Sequence, residues 1–243
     1  MKFKKYDSVM LMAGKGKRVK NLKEKKPFLK IKKFKAFEYI FNKFGSNKKF
    51  IITNEKLHNL NQNKYFKFKI KSTKSMLQTV EKSLNIIQNL KKFFILSCDC
   101  FGLFEKKKFD SFLKLNNPDI VLFAFDISKI QQKLENAHTT IDLKKNSLIN
   151  SIQVKNYSNK KQLLGHAGFF WVKNSNIFKD LKKFRSSKKF NREILLDDYF
   201  KFLFDKKLCK VRCYKLKEYI HFGSVTEYLE LRYWSKYFEN ENR

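Results

Sequence analysis

The chain has 243 residues, of which 42% are hydrophobic and 16% aromatic, and this composition excludes a disordered protein. Its length suffices for one α/β core, and 2 Pro with 7 Gly leave little material for a linker, so we expect residues 1–243 to form a single domain. No apolar run approaches the roughly 20 residues that span a membrane, and the N-terminus lacks the hydrophobic region of a signal peptide. We therefore expect a cytoplasmic protein that does not insert into membranes.

The formal net charge of +33 makes nucleic-acid binding a candidate function. Only six of the 55 basic residues are Arg, however, although Arg is the side chain best suited to read phosphates and base edges. The lysines are spread over nearly the whole chain, and an excess of Lys, Asn and Phe is typical of an AT-rich genome. We therefore expect no dedicated nucleic-acid partner, and a basic nucleic-acid-binding protein is kept as the alternative from a different class.

The four cysteines are Cys98, Cys100, Cys209 and Cys213. Their spacings, C-x-C and C-x3-C, are compatible with a zinc site. Both pairs lie in apolar strand patterns, where a thiol behaves as a small hydrophobic group, so we expect buried thiols. Disulfides are not expected in a cytosolic protein.

In the first half of the chain, strand-like apolar runs alternate with helical patterns, which predicts a largely parallel sheet. The predicted strands are residues 8–12, 49–53, 68–70, 93–97 and 119–125. The predicted helices are residues 36–44 and 76–90, both with apolar residues at helical spacing.

The second half has a different pattern. Two strands at 139–143 and 148–154 are predicted to form a hairpin. Further strands are predicted at 166–172 and 210–216, and helices at 175–184 (with Ser175 as a cap), 192–204 and 224–237. Asp197 and Asp198 are expected on a solvated face or at a cap, and His138 and His166 are expected to be neutral and hydrogen-bonded. Together the elements predict a Rossmann-like α/β fold with a mixed, mostly parallel sheet flanked by helices.

A glycine loop with the sequence M-A-G-K-G-K-R follows the first predicted strand, at residues 12–18. Its glycines let the backbone approach a triphosphate so that amide groups face the oxygens, and its cations face the pyrophosphate charge. It is neither a Walker A sequence nor a complete G-x-G-x-x-G motif, because residue 19 is Val, and a plain tight turn is the alternative. The residues expected to bind nucleotide are Ala13, Gly14, Lys15, Gly16, Lys17 and Arg18.

The segment Lys26-Pro27-Phe28-Leu29 adds a lysine on a chain that Pro27 makes rigid. A strand, G-x-G-x-R, a short variable stretch and then K-P with two hydrophobic residues resembles the signature of the sugar-1-phosphate nucleotidyltransferase family. The resemblance implies a GT-A-like variant of the α/β fold and an Mg²⁺-dependent enzyme that acts on an NTP and a small phosphate ester.

Further segments resemble this family's motifs in the same order. T-K-S-M-L-Q-T-V at residues 73–80 is similar to the base-binding T-x-G-x-A-x-T, with Ser75 and Leu77 in place of the usual Gly and Ala. L-S-C-D, at residues 96–99, is similar to the strand end whose Asp binds Mg²⁺. Val154-Lys155 follows the hairpin as the family's E-K lysine does, and residues 165–170 are similar to the strand that lines the acceptor pocket. Residues 220–229 are similar to W-x-D-x-G-T-P-E-D-L, with His221 where many members have a second metal-binding Asp.

The resemblance assigns roles to these positions. It implies that Arg18, Lys26 and Lys155 are catalytic, that Lys26, Lys155 and Gly168 bind the acceptor, and that Asp99 binds Mg²⁺, with His221 left open as a second ligand. The residues implied at the base are Ser75, Gln78 and Thr79.

The acceptor has two candidates within this class. The first is a sugar 1-phosphate, activated for surface polysaccharide synthesis. The second is phosphocholine or another non-sugar phosphate, used by a cytidylyltransferase, and the absence of a long helical C-terminal extension favours it. A degenerate, silent relative is a further alternative, suggested by Ser75 and His221. The base and the oligomeric state are left open, and an oligomer is compatible with the sequence.

Overall fold

The structure is a computed structural model that describes residues 6–16, 21–22, 24–44, 46–55, 64–127, 139–144, 148–155, 164–187 and 191–241. The strands of the described residues are β1 (Asp7–Met12), β2 (Lys30–Ile31), β3 (Phe34–Lys35), β4 (Lys49–Thr53), β5 (Phe66–Lys69), β6 (Lys91–Ser97), β7 (Cys100–Leu103), β8 (Ile120–Asp126), β9 (Thr140–Leu143), β10 (Ile149–Gln153), β11 (Leu164–Asn174), β12 (Val211–Lys215) and β13 (Glu218–His221). The α-helices are α1 (Ala36–Phe44), α2 (Met76–Lys82), α3 (Leu84–Ile87), α4 (Lys106–Asn116), α5 (Leu181–Ser187), α6 (Leu196–Asp205) and α7 (Val225–Glu241). None of these helices is long and apolar enough to cross a membrane.

Nine strands form one mixed sheet. The strands β1, β4, β5 and β6 are parallel to one another, and β11 pairs antiparallel with β6, β8 and β9. β12 is parallel to β8, and β9 and β10 form an antiparallel hairpin. These pairings give seven strands in one direction and two, β10 and β11, in the other. The predicted mixed, mostly parallel sheet flanked by helices is therefore confirmed.

A hydrophobic cluster covers each face of the sheet. Alternation along β6 places Phe94 and Leu96 on one face and Phe93 and Ile95 on the other. The first face packs against aromatic residues of α1 and against Phe109 of α4, and the second packs against α2, α5 and α6. Both faces of the central strands are buried, as is usual for parallel strands between helices.

Some predicted elements differ from the structure. The helix predicted at 76–90 is wrong as one helix, because it is divided at Ser83, whose hydroxyl donates to the carbonyl of Thr79 (2.7 Å). The helix predicted at 175–184 is a 3₁₀ turn, Ser175–Phe178, followed by α5. Its cap is Asn174, whose side chain accepts from the amide of Asn176, and not Ser175.

The cysteines lie where the strand patterns placed them. Cys98, Cys100 and Cys213 are buried, Cys209 is partly buried, and no disulfide joins the four, all of which lie within the described residues. Burial raises the pKa of the Cys209 and Cys213 thiols to about 12. The expectation of buried thiols is therefore confirmed for three of the four.

The parallel strands bring several predicted site segments to one edge. Leu11 pairs with Ser97 and Met12 pairs with Thr53, so β1, β4 and β6 end at the same level. β11 runs the other way and therefore has its early residues at this edge, since Phe170 pairs with Ile95 and Asn174 with Lys91. The segments that follow β1 and β6, and the residues around position 168, are consequently neighbours.

Candidate active site

Asp99 is the centre of a buried polar cluster just beyond the end of β6. One carboxylate oxygen, Oδ2, lies 2.5 Å from Nζ of Lys26, and the other accepts a hydrogen bond from the hydroxyl of Ser97. The side chains of Lys26 and Asp99 are only 10% and 9% exposed. Burial alone would raise the pKa of Asp99, but the charges of Lys26 and His221 hold this pKa well below its usual value. Asp99 is therefore a carboxylate that is fixed in place and ionised.

Lys26 is positioned by a short 3₁₀ turn, Lys26–Phe28, that contains Pro27. Proline is tolerated in the first turn because its missing N–H has no partner there. The turn is closed by a hydrogen bond from the amide of Phe28 to the carbonyl of Lys25 (2.8 Å). Lys25 itself points outward and pairs with Glu55 at 2.7 Å, so only the second of the two neighbouring lysines reaches Asp99.

His221 reaches the same cluster through a two-stranded sheet. β13 pairs antiparallel with β7 so that His221 lies opposite Cys100, the residue after Asp99. The distance from His221 Nε2 to Asp99 Oδ2 is 3.8 Å, which is an ion-pair distance but too long for a hydrogen bond. His221 Nδ1 lies 2.7 Å from Glu227 Oε1, and the other oxygen of Glu227 accepts from the amide and hydroxyl of Ser224.

These contacts set the charges of the pair. Burial alone would lower the pKa of His221, but the carboxylates of Asp99 and Glu227 raise it to about 9. The hydrogen bond with His221 lowers the pKa of Glu227 to about 2. His221 is therefore an imidazolium at neutral pH, held between two carboxylates.

Gly223 is required by the close approach of this segment to the cluster. A Cβ at this position would lie 2.5 Å from Nε2 of His221 and 2.8 Å from Oδ2 of Asp99. The amide of the preceding residue, Phe222, donates to the carbonyl of Asp99 (2.9 Å), which fixes the two backbones against each other. A side chain at position 223 would separate His221 from Asp99.

The glycine loop after β1 is fastened to the segment that precedes α2. Gly14 forms a parallel bridge with Thr73, and the amide of Thr73 donates to the carbonyl of Ala13 at 2.9 Å. Gly14 and Lys15 are exposed, and Gly16 has a positive φ of 61°. Their neighbours Lys17 and Arg18, both predicted to bind nucleotide, lie outside the described residues.

The three residues predicted at the base surround the start of α2. The hydroxyl of Ser75 accepts from the amide of Gln78 (3.2 Å), and the side chain of Gln78 accepts from the amide of Lys74 (2.8 Å). Thr79 is buried and its hydroxyl lies 2.7 Å from that of Thr73. The structure therefore brings all three beside the glycine loop, where they also stabilise the helix N-terminus.

The predicted acceptor residues are placed less uniformly. Gly168 has a positive φ of 74°, and a Cβ there would lie 3.6 Å from the sulfur of Cys100, so this glycine lies beside the Asp99 cluster. Lys155 follows β10, is exposed and has a φ of 49°. It forms no ion pair with another described residue, and its position relative to Asp99 stays a prediction.

Sequence reasoning missed two members of the cluster. Ser97 was within the quoted motif but had no role, and nothing in a single serine indicates one. Glu227 carries a signal, because Ser224 and Glu227 have the S-x-x-E spacing of a capping box, and the structure forms both of its bonds. That pattern predicts a fixed carboxylate in the first turn of α7, six residues after His221.

The donor set fits Mg²⁺ bound through Asp99. Mg²⁺ commonly takes one or two carboxylates and completes its shell with water and substrate phosphates. The described residues contain no group of three His, Cys, Asp or Glu side chains that could enclose a metal. His221 does not fit as a second ligand, because Mg²⁺ prefers oxygen and the raised pKa keeps the imidazole protonated. Apart from Asp99, the ligands of a metal here would therefore be water and phosphate oxygens of the substrates.

No family model and no curated protein matches this sequence. Solved structures that share its fold include the following three. A nucleoside-diphosphate-sugar pyrophosphorylase from Vibrio cholerae RC9 has a TM-score of 0.70 and 14% identity, over 92% of this chain and 98% of that one. A protein from Bacillus anthracis, proposed to be a glucose-1-phosphate thymidylyltransferase, has a TM-score of 0.69 and 10% identity, over 94% and 95%. The inositol-1-phosphate CTP transferase from T. maritima has a TM-score of 0.67 and 14% identity, over 96% and 97%. The chain therefore has the fold that the sequence motifs implied.

Proposed function

We propose that this protein is a nucleotidyltransferase that joins an NTP to a small phosphate ester, with a sugar 1-phosphate as the acceptor, and releases pyrophosphate. The observation that carries the proposal is the convergence of Lys26, Asp99 and His221 at the sheet edge where the glycine loop also lies. The shared fold supports it, because the three similar structures are named as a nucleoside-diphosphate-sugar pyrophosphorylase, a proposed glucose-1-phosphate thymidylyltransferase and an inositol-1-phosphate CTP transferase.

The reaction needs positioned charges and no covalent enzyme intermediate. An oxygen of the acceptor phosphate attacks the α-phosphorus of the NTP in line, and the bond from the α-phosphorus to the bridging oxygen of the β-phosphate breaks. Pyrophosphate leaves with that electron pair, so atoms and charges balance. The protein contributes orientation and neutralisation of the developing charge.

Each part of the site has a role in this scheme. The amides of the loop at 13–16, together with Lys17 and Arg18, hold the leaving pyrophosphate. Lys26 keeps one N–H on Asp99 and offers the others to the acceptor phosphate, since an ammonium has three donors. Asp99 would hold Mg²⁺, which would supply neutralisation of the phosphate charge. Lys155 and Gly168 complete the acceptor side, and Ser75, Gln78 and Thr79 lie at the base.

A cytidylyltransferase that uses a non-sugar phosphate such as phosphocholine is the second candidate. One observation favours it: a structure of similar fold, over 96% of this chain, is named as a CTP transferase acting on inositol 1-phosphate. If the acceptor is a sugar 1-phosphate, we propose that the protein acts in the cytoplasm and that its product is used in surface polysaccharide synthesis.

The test is a matrix of substrates. The purified protein is incubated with Mg²⁺, each NTP in turn, and glucose 1-phosphate, inositol 1-phosphate or phosphocholine, and pyrophosphate release is measured. We expect release with one preferred NTP, only when an acceptor is present. Pyrophosphate release without an acceptor would contradict the proposal, as would no release with any combination of NTP and acceptor. If there is no release but the protein binds DNA tightly, the nucleic-acid alternative would be favoured.

A further inference from the structure

An irregularity in β11 brings Gly168 to the acceptor side of the site. In the pairing of β11 with β8, His166 lies opposite Ala124 and Phe170 opposite Leu122, so β11 contains two additional residues between these positions. Such bulges bend a strand and redirect its residues. This one carries Gly168 at its positive φ, and the carbonyl of Ala167 accepts a hydrogen bond from the thiol of Cys100 at 3.1 Å.

The side chain of His166 closes this bulge. Its Nε2 lies 3.2 Å from the carbonyl oxygen of Phe169, and its Nδ1 lies 2.7 Å from Oδ1 of Asp197. The side chain is only 2% exposed. A carbonyl oxygen can only accept, so Nε2 must carry a proton and donate it. The imidazole thus joins the backbone of the bulge to the first turn of α6.

Asp197 is a suitable anchor for this bond. It lies in the first turn of α6, where the helix dipole favours negative charge. Burial alone would raise its pKa, but His166 and the hydroxyl of Thr139 lower it, so Asp197 is ionised. The bond from His166 therefore ends on a charged carboxylate at the start of α6.

A second connection leaves the same turn of α6. Asp198 accepts two hydrogen bonds from Arg192, at 2.6 and 2.9 Å, and one from the amide of Leu195 at 2.8 Å. The guanidinium of Arg192 also donates to the carbonyl of Val154 at 3.4 Å. Val154 immediately precedes Lys155, so this arm ends at the backbone of the second predicted acceptor residue.

We propose that the first turn of α6 positions both acceptor-side elements, the Gly168 bulge through Asp197 and His166 and the Lys155 segment through Asp198 and Arg192. The proposal rests on the proposed function. The two carboxylates touch no substrate in this account and act through backbone carbonyls of other segments, so they are positioning residues. Loss of either carboxylate should weaken binding of the acceptor. Binding of the NTP, whose site is built on β1 and α2, should be unaffected.

The bulge arm is tested with His166→Asn, which keeps a donor near the Nδ1 position and loses the bond to the carbonyl of Phe169. Initial rates are measured with the acceptor varied at saturating NTP, and then with the NTP varied, using whichever of glucose 1-phosphate, inositol 1-phosphate and phosphocholine is turned over. We expect the acceptor KM to rise about tenfold and the NTP KM to change less than about twofold. Hydrogen exchange at residues 167–169 should become faster. If His166→Asn does not fold, His166→Gln removes the bond to Asp197 and carries the same expectation.

The second arm is tested with Arg192→Lys, which keeps the charge but cannot bind Asp198 and the carbonyl of Val154 together. We expect the acceptor KM to rise about threefold. Arg185→Lys is the matched control, because Arg185 also pairs with a carboxylate, Glu81 of α2, but lies on α5 and forms no ion pair with a described acceptor-side residue. The acceptor KM should be unchanged in the control.

The outcomes separate the two levels of the proposal. A wild-type protein without turnover would contradict the proposed function and, with it, the acceptor-specific role of α6. Normal turnover by the wild type, with His166→Asn and Arg192→Lys raising both KM values equally or neither, would contradict only the positioning role.

Discussion

Two acidic clusters, one buried around Asp99 and one partly buried at Asp197 and Asp198, lie on the acceptor side of the sheet edge and differ in where their hydrogen bonds end. The partners of Asp99 are the side chains of Lys26 and Ser97, with His221 nearby. Asp197 and Asp198 instead bind His166 and Arg192, which also form hydrogen bonds to the backbone carbonyls of Phe169 and Val154. Side chains that end on the backbone fix a segment, whereas an ammonium with unused N–H groups can also bind a ligand phosphate. This difference supports our proposal that the first cluster acts on the substrates and the second positions the segments around them.

The largest effect is expected from Asp99→Asn. The amide has the shape of the carboxylate but no charge, so it neither binds Mg²⁺ well nor pairs with Lys26 and His221. We expect kcat to fall by about 10³-fold or more while the circular dichroism spectrum is unchanged. Near-normal pyrophosphate release with Mg²⁺ would show that Asp99 is not the metal-binding residue.

A smaller but clear loss is expected from Lys26→Ala. Removing a donor from the acceptor phosphate should lower kcat/KM by about 10²-fold, a few kcal/mol of transition-state stabilisation. The neighbouring Lys25 is the matched control, because it is exposed and, among the described residues, pairs with Glu55 and not with Asp99. Lys25→Ala should change kcat/KM less than about twofold, and equal losses in the two variants would indicate a general charge effect.

Gly223→Ala tests whether His221 must lie close to Asp99. The methyl group would fall within 3 Å of both His221 and Asp99, so one of them must move. We expect a decrease in kcat/KM of about tenfold, since a small displacement of a catalytic group is costly. Steady-state kinetics beside a thermal melt will distinguish this from unfolding; an unaltered rate at unaltered stability would mean that His221 is not needed near Asp99.

The smallest effect on kcat is expected from Asp198→Asn. This change weakens the pair with Arg192 and the cap at Leu195, so the free energy of unfolding should fall by about 1–3 kcal/mol. Urea unfolding measures the loss. If kcat fell as far as in Asp99→Asn, the division between chemistry and positioning would be wrong.

Much of the fold follows from local sequence pattern. The helix at Ala36–Phe44 and the strand at Lys49–Thr53 have the predicted bounds, because their apolar residues repeat with the period of one element and face one core. The helix Lys106–Asn116 was missed, since its sequence is rich in Lys and only Phe109 is buried. Pairing of Cys100–Leu103 with Glu218–His221 was also missed, because each strand has only four residues and its partner is distant in sequence.

The order of the motifs along the chain was enough to identify several site residues, but it could not predict which side chains contact one another. Residues 26, 99 and 221 were singled out by motif, and the structure brings them together. Asp197 was expected on a solvated face or at a cap, but it is partly buried and pairs with His166, while Asp198 does cap its helix. Only the fold determines which of two adjacent carboxylates meets a histidine 31 positions earlier.

If the Lys26–Asp99 cluster catalyses nucleotidyl transfer, the α-phosphate of the NTP must become part of the product. Following a label at this phosphate is the most direct test. The wild-type protein is incubated with Mg²⁺, an acceptor phosphate ester and the preferred NTP labelled at the α-phosphorus. We predict that the label appears in an adduct with the acceptor and that one pyrophosphate is released for each adduct. Transfer of the γ-phosphate instead, or pyrophosphate without a labelled adduct, would contradict the account.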